Sequence, residues 1–224
     1  MSRKKLALVH TSTSLVPMFN ELVQRYLPQV DHFHVADDSL IKNVIRDGAL
    51  RPETARRVLD LIVSAESGGA QMVLATCSSI GRAVEASQAF VGIPVLRVDL
   101  PMADRAIAMG KNIGVIATVP TTLGPTQDLI QRRGELAGAE FQLTTRLCAG
   151  AFELLMAGDV AAHDQRVLGA LQELMEVVDV IVLAQASMSR VASQLPRDVA
   201  CIPILASPTI AMEYLANSWL QDDA

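Results

Sequence analysis

Aromatic residues are scarce in this chain, with five Phe, two Tyr and one Trp among 224 residues, although half of all residues are hydrophobic. A core of that composition must be built from Ala, Val, Leu, Ile and Met, the residues of buried parallel strands flanked by helices. The length suffices for a sizeable core, as one domain or two small ones. Cysteine is also sparse. Cys77, Cys148 and Cys201 form an odd, widely spaced set, which fits a reducing cytoplasm better than a disulfide framework. No basic tract is present and the formal net charge is −5, so nucleic acid and anionic membrane are not expected partners. No apolar run approaches the ~20 residues of a membrane span. The run over 6–9 is too short for the core of a signal peptide, and a cytoplasmic location is expected. GxGxxG and GxxxxGK[ST] patterns are absent as well.

What the chain does have is a repeat. Arg57-Val58-Leu59 recurs as Arg166-Val167-Leu168, Val73-Leu74-Ala75 as Val182-Leu183-Ala184, and Ile93-Pro94-Val95-Leu96 as Ile202-Pro203-Ile204-Leu205. All three pairs are 109 residues apart, in the same order. A constant offset of that kind points to two copies of one α/β unit.

Apolar periodicity places strands over 5–10, 31–36, 71–76 and 94–98 in the first copy, and over 113–117, 141–147, 180–184 and 202–206 in the second. Helices are expected over 15–27, 39–46, 52–67, 79–89, 101–109, 120–133, 152–157, 161–177 and 209–220. Pro52-Glu53 and Gly68-Gly69 are start and stop signals for the long helix of the first copy. Regular β–α alternation implies parallel sheets with right-handed crossovers. The expected architecture is α/β, with two pseudo-symmetric lobes: 1–100, and 101–208, with 209–224 packing back on the first.

Ligands of parallel α/β sheets bind beyond the carboxyl ends of strands. Those ends carry Thr11-Ser12-Thr13, Thr76-Cys77-Ser78-Ser79, Thr118-Val119-Pro120-Thr121-Thr122 and Gln185-Ala186-Ser187. Short hydroxyls and free N–H groups at helix starts suit a carboxylate or another oxyanion. Helix capping uses the same residue types and is the competing reading. The candidate binding residues are Thr11, Ser12, Thr13, Ser78, Ser79, Thr118, Thr121, Gln185 and Ser187. Cys77, between a strand end and a helix start, is the candidate catalytic group, with a pKa expected below ~8.5. Cys148 and Cys201 lack polar neighbours and are expected to be packing residues. His32-Phe33-His34 puts two imidazoles on one strand face, but no third ligand is evident and no metal site is expected.

The doubled layout with Cys77 after the third strand resembles the aspartate/glutamate/hydantoin racemase superfamily, which includes amino-acid and hydantoin racemases, maleate isomerase and arylmalonate decarboxylase. The specific segments are 73–79 and 181–188. Asp37-Asp38-Ser39-Leu40 and Ala184-Gln185-Ala186-Ser187-Met188 are similar to one branch of it. The resemblance implies two lobes with a site in the cleft, a small carboxylate or carbonyl substrate, and no metal, nicotinamide or pyridoxal phosphate. It also implies one cysteine per lobe, facing the substrate carbon from opposite sides. Cys77 matches the first. The second falls at Gln185 by family spacing and at Ala186 by the 109-residue offset, and neither is a thiol.

A single thiolate can remove or deliver a proton beside a carboxylate, or add to an electrophilic carbon. His10, at the end of the first strand, is a candidate second acid or base; a backbone-bonded structural histidine is the alternative. Gln185 has no proton to exchange but can hold a carboxylate or an enediolate. The resulting expectation is a cofactor-independent isomerase. A decarboxylating lyase is the alternative, and a non-catalytic small-acid binding protein is a further one. The oligomeric state is open, and a homo-oligomer is compatible with the sequence.

Overall fold

The computed structural model describes residues 3–194 and 202–221. Cys201 lies outside them, so the packing role expected of it lies there too. Eight strands are described: β1 Lys5–His10, β2 Asp31–Ala36, β3 Met72–Ala75, β4 Val95–Arg97, β5 Asn112–Ala117, β6 Gln142–Leu147, β7 Val180–Leu183 and β8 Ile204–Ala206. The helices are α1 Val16–Tyr26, α2 Ser39–Asp47, α3 Pro52–Ser67, α4 Gly81–Ser87, α5 Leu100–Met109, α6 Pro120–Ala137, α7 Ala151–Met156, α8 Val160–Met175, α9 Ser189–Ser193 and α10 Ser207–Asn217. The chain divides into two compact units, residues 1–99 with 208–224, and residues 100–207.

Each unit holds one four-stranded, wholly parallel sheet, and the two orders correspond: β2-β1-β3-β4 and β6-β5-β7-β8. The α/β class expected from the sequence is therefore what forms. The inner strands β1, β3, β5 and β7 are buried almost throughout, as their continuous Val, Leu, Ile and Ala runs require. At the edge of the second sheet, β6 is largely exposed. Its Thr144, Thr145 and Arg146 keep that edge polar.

In the first unit, Val58, Ile62 and Ala65 of α3 pack with Ala7, Val9, Val73 and Ala75. In the second, Val167, Leu171 and Leu174 of α8 pack with Ile116, Ile181 and Leu183. The repeated arginines have a common use. Arg57 bonds Asp37 and Ser39 just past β2, and Arg166 donates to the Ala149 carbonyl just past β6, at 2.9 Å. Each ties its long helix to the loop that leaves an edge strand. Just past α10, Trp219 is held to the start of the first unit, where Lys4 Nζ donates to the Trp219 carbonyl at 2.7 Å and sits 5.3 Å from its ring centre.

Strand order fixes where a site can form. In both units the chain adds one strand on one side of the central strand and the next on the other, so the topological switch points lie at the exits of β1/β3 and of β5/β7.

Candidate active site

The register of β1 against β3 ends with Val9 opposite Ala75, and Thr76 N–H still donates to the Val9 carbonyl at 3.0 Å. Continuing one residue at a time, His10 faces Thr76 and Thr11 faces Cys77. The side chains follow this order. Thr76 Oγ1 lies 2.9 Å from His10 Nδ1, and the Thr11 hydroxyl lies against the Cys77 sulfur. In the second unit Ile116 is opposite Leu183, which brings Thr118 opposite Gln185. There the Thr118 N–H and hydroxyl both donate to Gln185 Oε1, at 2.6 and 2.8 Å.

Cys77 and Gln185 therefore occupy equivalent stations. Each precedes a 3-10 turn, Ser78–Ile80 or Ala186–Met188, that leads into α4 or α9. The position equivalent to Cys77 is thus Gln185, not Ala186. A backbone N–H can only donate, so it is the carboxamide oxygen of Gln185 that faces Thr118 and the –NH2 that points away.

Cys77 is partly exposed, yet its thiol is pushed up from the ordinary value, chiefly by burial of the sulfur among protein groups. The Thr11 hydroxyl, the Ser79 N–H and hydroxyl and the Ile80 N–H work the other way, since polar groups turned to sulfur favour thiolate. This corrects the expectation of a lowered pKa. The helix start does supply N–H groups, but desolvation outweighs them. Cys148 is buried in the core of the second unit, where burial raises its thiol to about 11.

Capping does not account for the polar strand exits. Ser12, Cys77, Val119 and Gln185 are the residues at the helix or turn starts, and none accepts a capping bond through its side chain. Asp159, by contrast, accepts from Ala162 N–H at the start of α8. The Thr121 and Ser189 hydroxyls are buried without a partner. The remaining candidates sort by exposure. Thr11, Ser78, Ser79 and Thr118 are buried, and Ser187 is half-buried. Thr13 is exposed, and Ser12 bonds Ser14 at 2.8 Å.

His10 is fully buried, with both ring nitrogens engaged, Nδ1 by Thr76 and Nε2 by His34 Nδ1 at 2.8 Å. Burial and the neighbouring His34 lower its pKa to about 4. It has no free nitrogen with which to exchange a proton with a ligand, which corrects its reading as a second acid or base. His32 and His34 both bond Asn20 Oδ1. Among the described residues, no group of three His, Cys, Asp or Glu is placed to hold a metal.

Sequence reading missed Arg97 and Asp99, at the exit of β4. Arg97 donates from Nε and Nη2 to Asp99 at 2.7 and 2.8 Å and from Nη1 to Glu85 at 2.6 Å. Burial alone would lower its pKa, but Asp99 and Glu85 carry it above the ordinary value. Its guanidinium lies on the α-carbon of Gly81, where a Cβ would stand 2.3 Å from Cζ, and so braces the turn that follows Cys77. The available signal was a basic and an acidic residue two apart at the end of an apolar strand. A surface pocket of about 400 Å³, lined by Arg3, Gln24, Asp31 and His32 among others, lies at the entry end of β2 and includes none of the candidate residues.

A family model described as Asp/Glu/Hydantoin racemase matches residues 8–215. The chain belongs to that family. Solved structures with the same fold include a glutamate racemase from Bacillus anthracis (TM-score 0.74, 19% identity, covering 99% of this chain and 83% of that one). They also include an allantoin racemase from Klebsiella pneumoniae (0.68, 17%, 97% and 87%) and the aspartate racemase of Picrophilus torridus (0.69, 15%, 95% and 94%). No curated protein gives a significant sequence match. Family membership supports a racemase-type isomerase. Within the described residues no helix is long and apolar enough to cross a membrane.

Proposed function

We propose that this racemase-family member is a cofactor-independent isomerase acting at the carbon beside a carboxylate or carbonyl of a small organic acid, through Cys77 alone. The observation that carries the proposal is the exchange of a thiol for a carboxamide at equivalent stations of the two units, Cys77 on Thr11 and Gln185 on Thr118. Gln185 cannot exchange a proton, but its –NH2 can hold a substrate oxygen that gains charge. The buried, partnerless hydroxyls of Thr121 and Ser189 can do the same.

A single thiol is complete for a cis–trans isomerisation. Thiolate adds to one carbon of the double bond, and the electron pair moves onto the conjugated carbonyl oxygen. The former double bond rotates, the pair returns, and the C–S bond breaks, so the thiolate is regenerated without a second acid or base. A second reading is favoured by the raised pKa of Cys77. A thiol protonated at neutral pH is an acid, which suits delivery of its proton to the enediolate left by loss of carbon dioxide.

The test is NMR of candidate acids in deuterium oxide with the wild type and Cys77→Ser. A changed double-bond geometry supports the isomerase. Release of carbon dioxide with deuterium at the α-carbon supports the lyase. Equal turnover by Cys77→Ser, or absence of both turnover and acid binding at Cys77, would remove the proposal.

A further inference from the structure

We infer that His10 is a positioning residue: a hydrogen-bond chain that runs from half-buried Asn20 and His34 to buried His10 and Thr76 holds the Thr11–Cys77 rung from the rung directly below it. The inference rests on the reading of Cys77 as the reacting thiol. The chain runs from α1 across the sheet. Asn20 Oδ1 is 2.8 Å from His32 Nε2 and 2.9 Å from His34 Nε2. His34 Nδ1 is 2.8 Å from His10 Nε2, and His10 Nδ1 is 2.9 Å from Thr76 Oγ1. The two linked imidazoles stack, 5.0 Å between centres, and Phe19 tilts against His10 at 5.6 Å.

The chain has a direction. A carboxamide oxygen accepts only, so His32 and His34 both carry their proton on Nε2. His34 Nδ1 is then a bare lone pair, and His10 donates to it from Nε2. His10 Nδ1 is bare in turn, and the Thr76 hydroxyl donates to it. Every neutral imidazole is satisfied when the single Thr76 proton goes to the bare Nδ1 of His10, at 2.9 Å the closer of its two acceptors, the other being the Val9 carbonyl at 3.2 Å. The hydroxyl of Thr76 therefore has no proton to offer a ligand or the sulfur of Cys77.

The mechanical consequence follows from register. His10 and Thr76 directly precede Thr11 and Cys77 on adjacent strands. A short contact between buried side chains joins the Thr76 N–H bond to the Val9 carbonyl in holding the two backbones together at the end of the β1–β3 pairing. Their spacing decides whether the Thr11 hydroxyl reaches the sulfur, one of the few contributions that favour thiolate there.

The test uses the full chain. Nitrogen-15 NMR of the imidazoles should find the protons of His10, His32 and His34 on Nε2; a proton on His10 Nδ1 would reverse the chain and overturn the inference. Iodoacetamide labelling across pH then reads the rung. Thr76→Val keeps the shape and removes the hydroxyl, and should slow Cys77 labelling roughly tenfold near pH 8 and move its profile upward, as loss of one hydrogen bond implies. Thr76→Ser should restore the wild-type profile. Asn20→Leu, three hydrogen bonds away from Thr76, should shift the profile in the same direction. Cys148 serves as the internal reference. Wild-type profiles in Thr76→Val and Asn20→Leu would overturn the inference, and if either variant fails to fold, the imidazole tautomers of the wild type decide. Failure of small carboxylates to protect Cys77 in the wild type would count against the proposed function and leave the test of the chain standing.

Discussion

Cys77 and Gln185 leave inner strands of two like-built sheets with the same backbone geometry, φ −133° and ψ 119° for the one, φ −132° and ψ 138° for the other. Each faces a threonine on the neighbouring central strand. The backbone station has been kept in both units and only the side chain differs. The first unit presents a thiol able to exchange a proton or form a covalent bond. The second presents a carboxamide whose oxygen is bound by Thr118 and whose N–H groups are left to donate.

The ionisation of Cys77 is the first thing to measure. Burial holds its thiol above the ordinary value, so the iodoacetamide rate should rise with pH through a range higher than that of a free cysteine. Cys148, buried and raised to about 11, should label more slowly still. A bound carboxylate should retard Cys77 further, since like charges disfavour thiolate. The pH profile of turnover then separates the two readings: a thiolate mechanism gains rate as pH rises into that range, and an acid mechanism loses it there. An apparent pKa below that of a free thiol would refute the desolvation account.

Stability should fall on the acid side because of His10. Its folded pKa is about 4 against 6.5 when unperturbed, so between those values the unfolded chain binds a proton that the folded chain refuses. The contribution is fully present above pH 6.5 and is lost as pH falls toward 4. It amounts to about 3 kcal/mol at most. His34 is lowered as well, by burial and by His32, and acts in the same direction. Urea midpoints from pH 8 to pH 4 should show the decline, and His10→Leu should flatten it while lowering stability throughout, because Thr76 and His34 lose a buried partner. An unchanged slope in that variant would show that His10 is not the titrating group.

Arg97 tests the bracing of the turn after Cys77. Arg97→Leu leaves Asp99, which is 0% exposed, without its bidentate partner, and should cost about 3–5 kcal/mol. Arg97→Leu combined with Asp99→Leu should recover much of that loss. Gly81→Ala drives a Cβ into the guanidinium and should cost about 1–3 kcal/mol. Thermal and urea unfolding measure both, and additive losses in Gly81→Ala with Arg97→Leu would argue against direct contact between the two positions.

The fold was legible because the inner strands are near-continuous apolar runs and their exits are polar, a contrast that needs no partner information. The repeat was legible too, but its constant offset was only partly structural. The buried faces of α3 and α8 agree at 109, with Val58 matching Val167 and Ile62 matching Leu171. Met72 corresponds to Val180, however, a spacing of 108, and Leu6 to Ile113, a spacing of 107. The match of Val73-Leu74-Ala75 with Val182-Leu183-Ala184 is therefore out of step by one residue, which in a strand means the opposite face. That one-residue slip is why Ala186 competed with Gln185. The buried polar groups were harder to read. The state of His10 depends on His34 and Asn20, and that of Arg97 on Asp99, Glu85 and the bare α-carbon of Gly81. The pKa of Cys77 depends on how tightly the exit closes, which no local sequence rule reports.

Replacing Gln185 by cysteine is the sharpest experiment, because it has one outcome that needs no substrate and one that does. Gln185→Cys removes the acceptor of two Thr118 donors, the N–H and the hydroxyl. Thr118 is itself buried. The urea midpoint should fall by the equivalent of about 1–3 kcal/mol, the usual consequence of leaving buried donors unpaired. Ala186→Cys touches neither bond and should leave the midpoint nearly unchanged. The chemical outcome follows from station. The resemblance to the family implies one cysteine per unit, and by that implication a small chiral acid bound by Gln185→Cys should exchange its α-proton for deuterium and racemise, while the wild type should not racemise it. Cysteine at 186 sits one residue along the 3-10 turn and should not confer exchange. Racemisation by Ala186→Cys but not by Gln185→Cys would mean that the structural correspondence of Cys77 with Gln185 does not extend to chemistry, and the assignment of Gln185 as the holder of a substrate oxygen would fall with it.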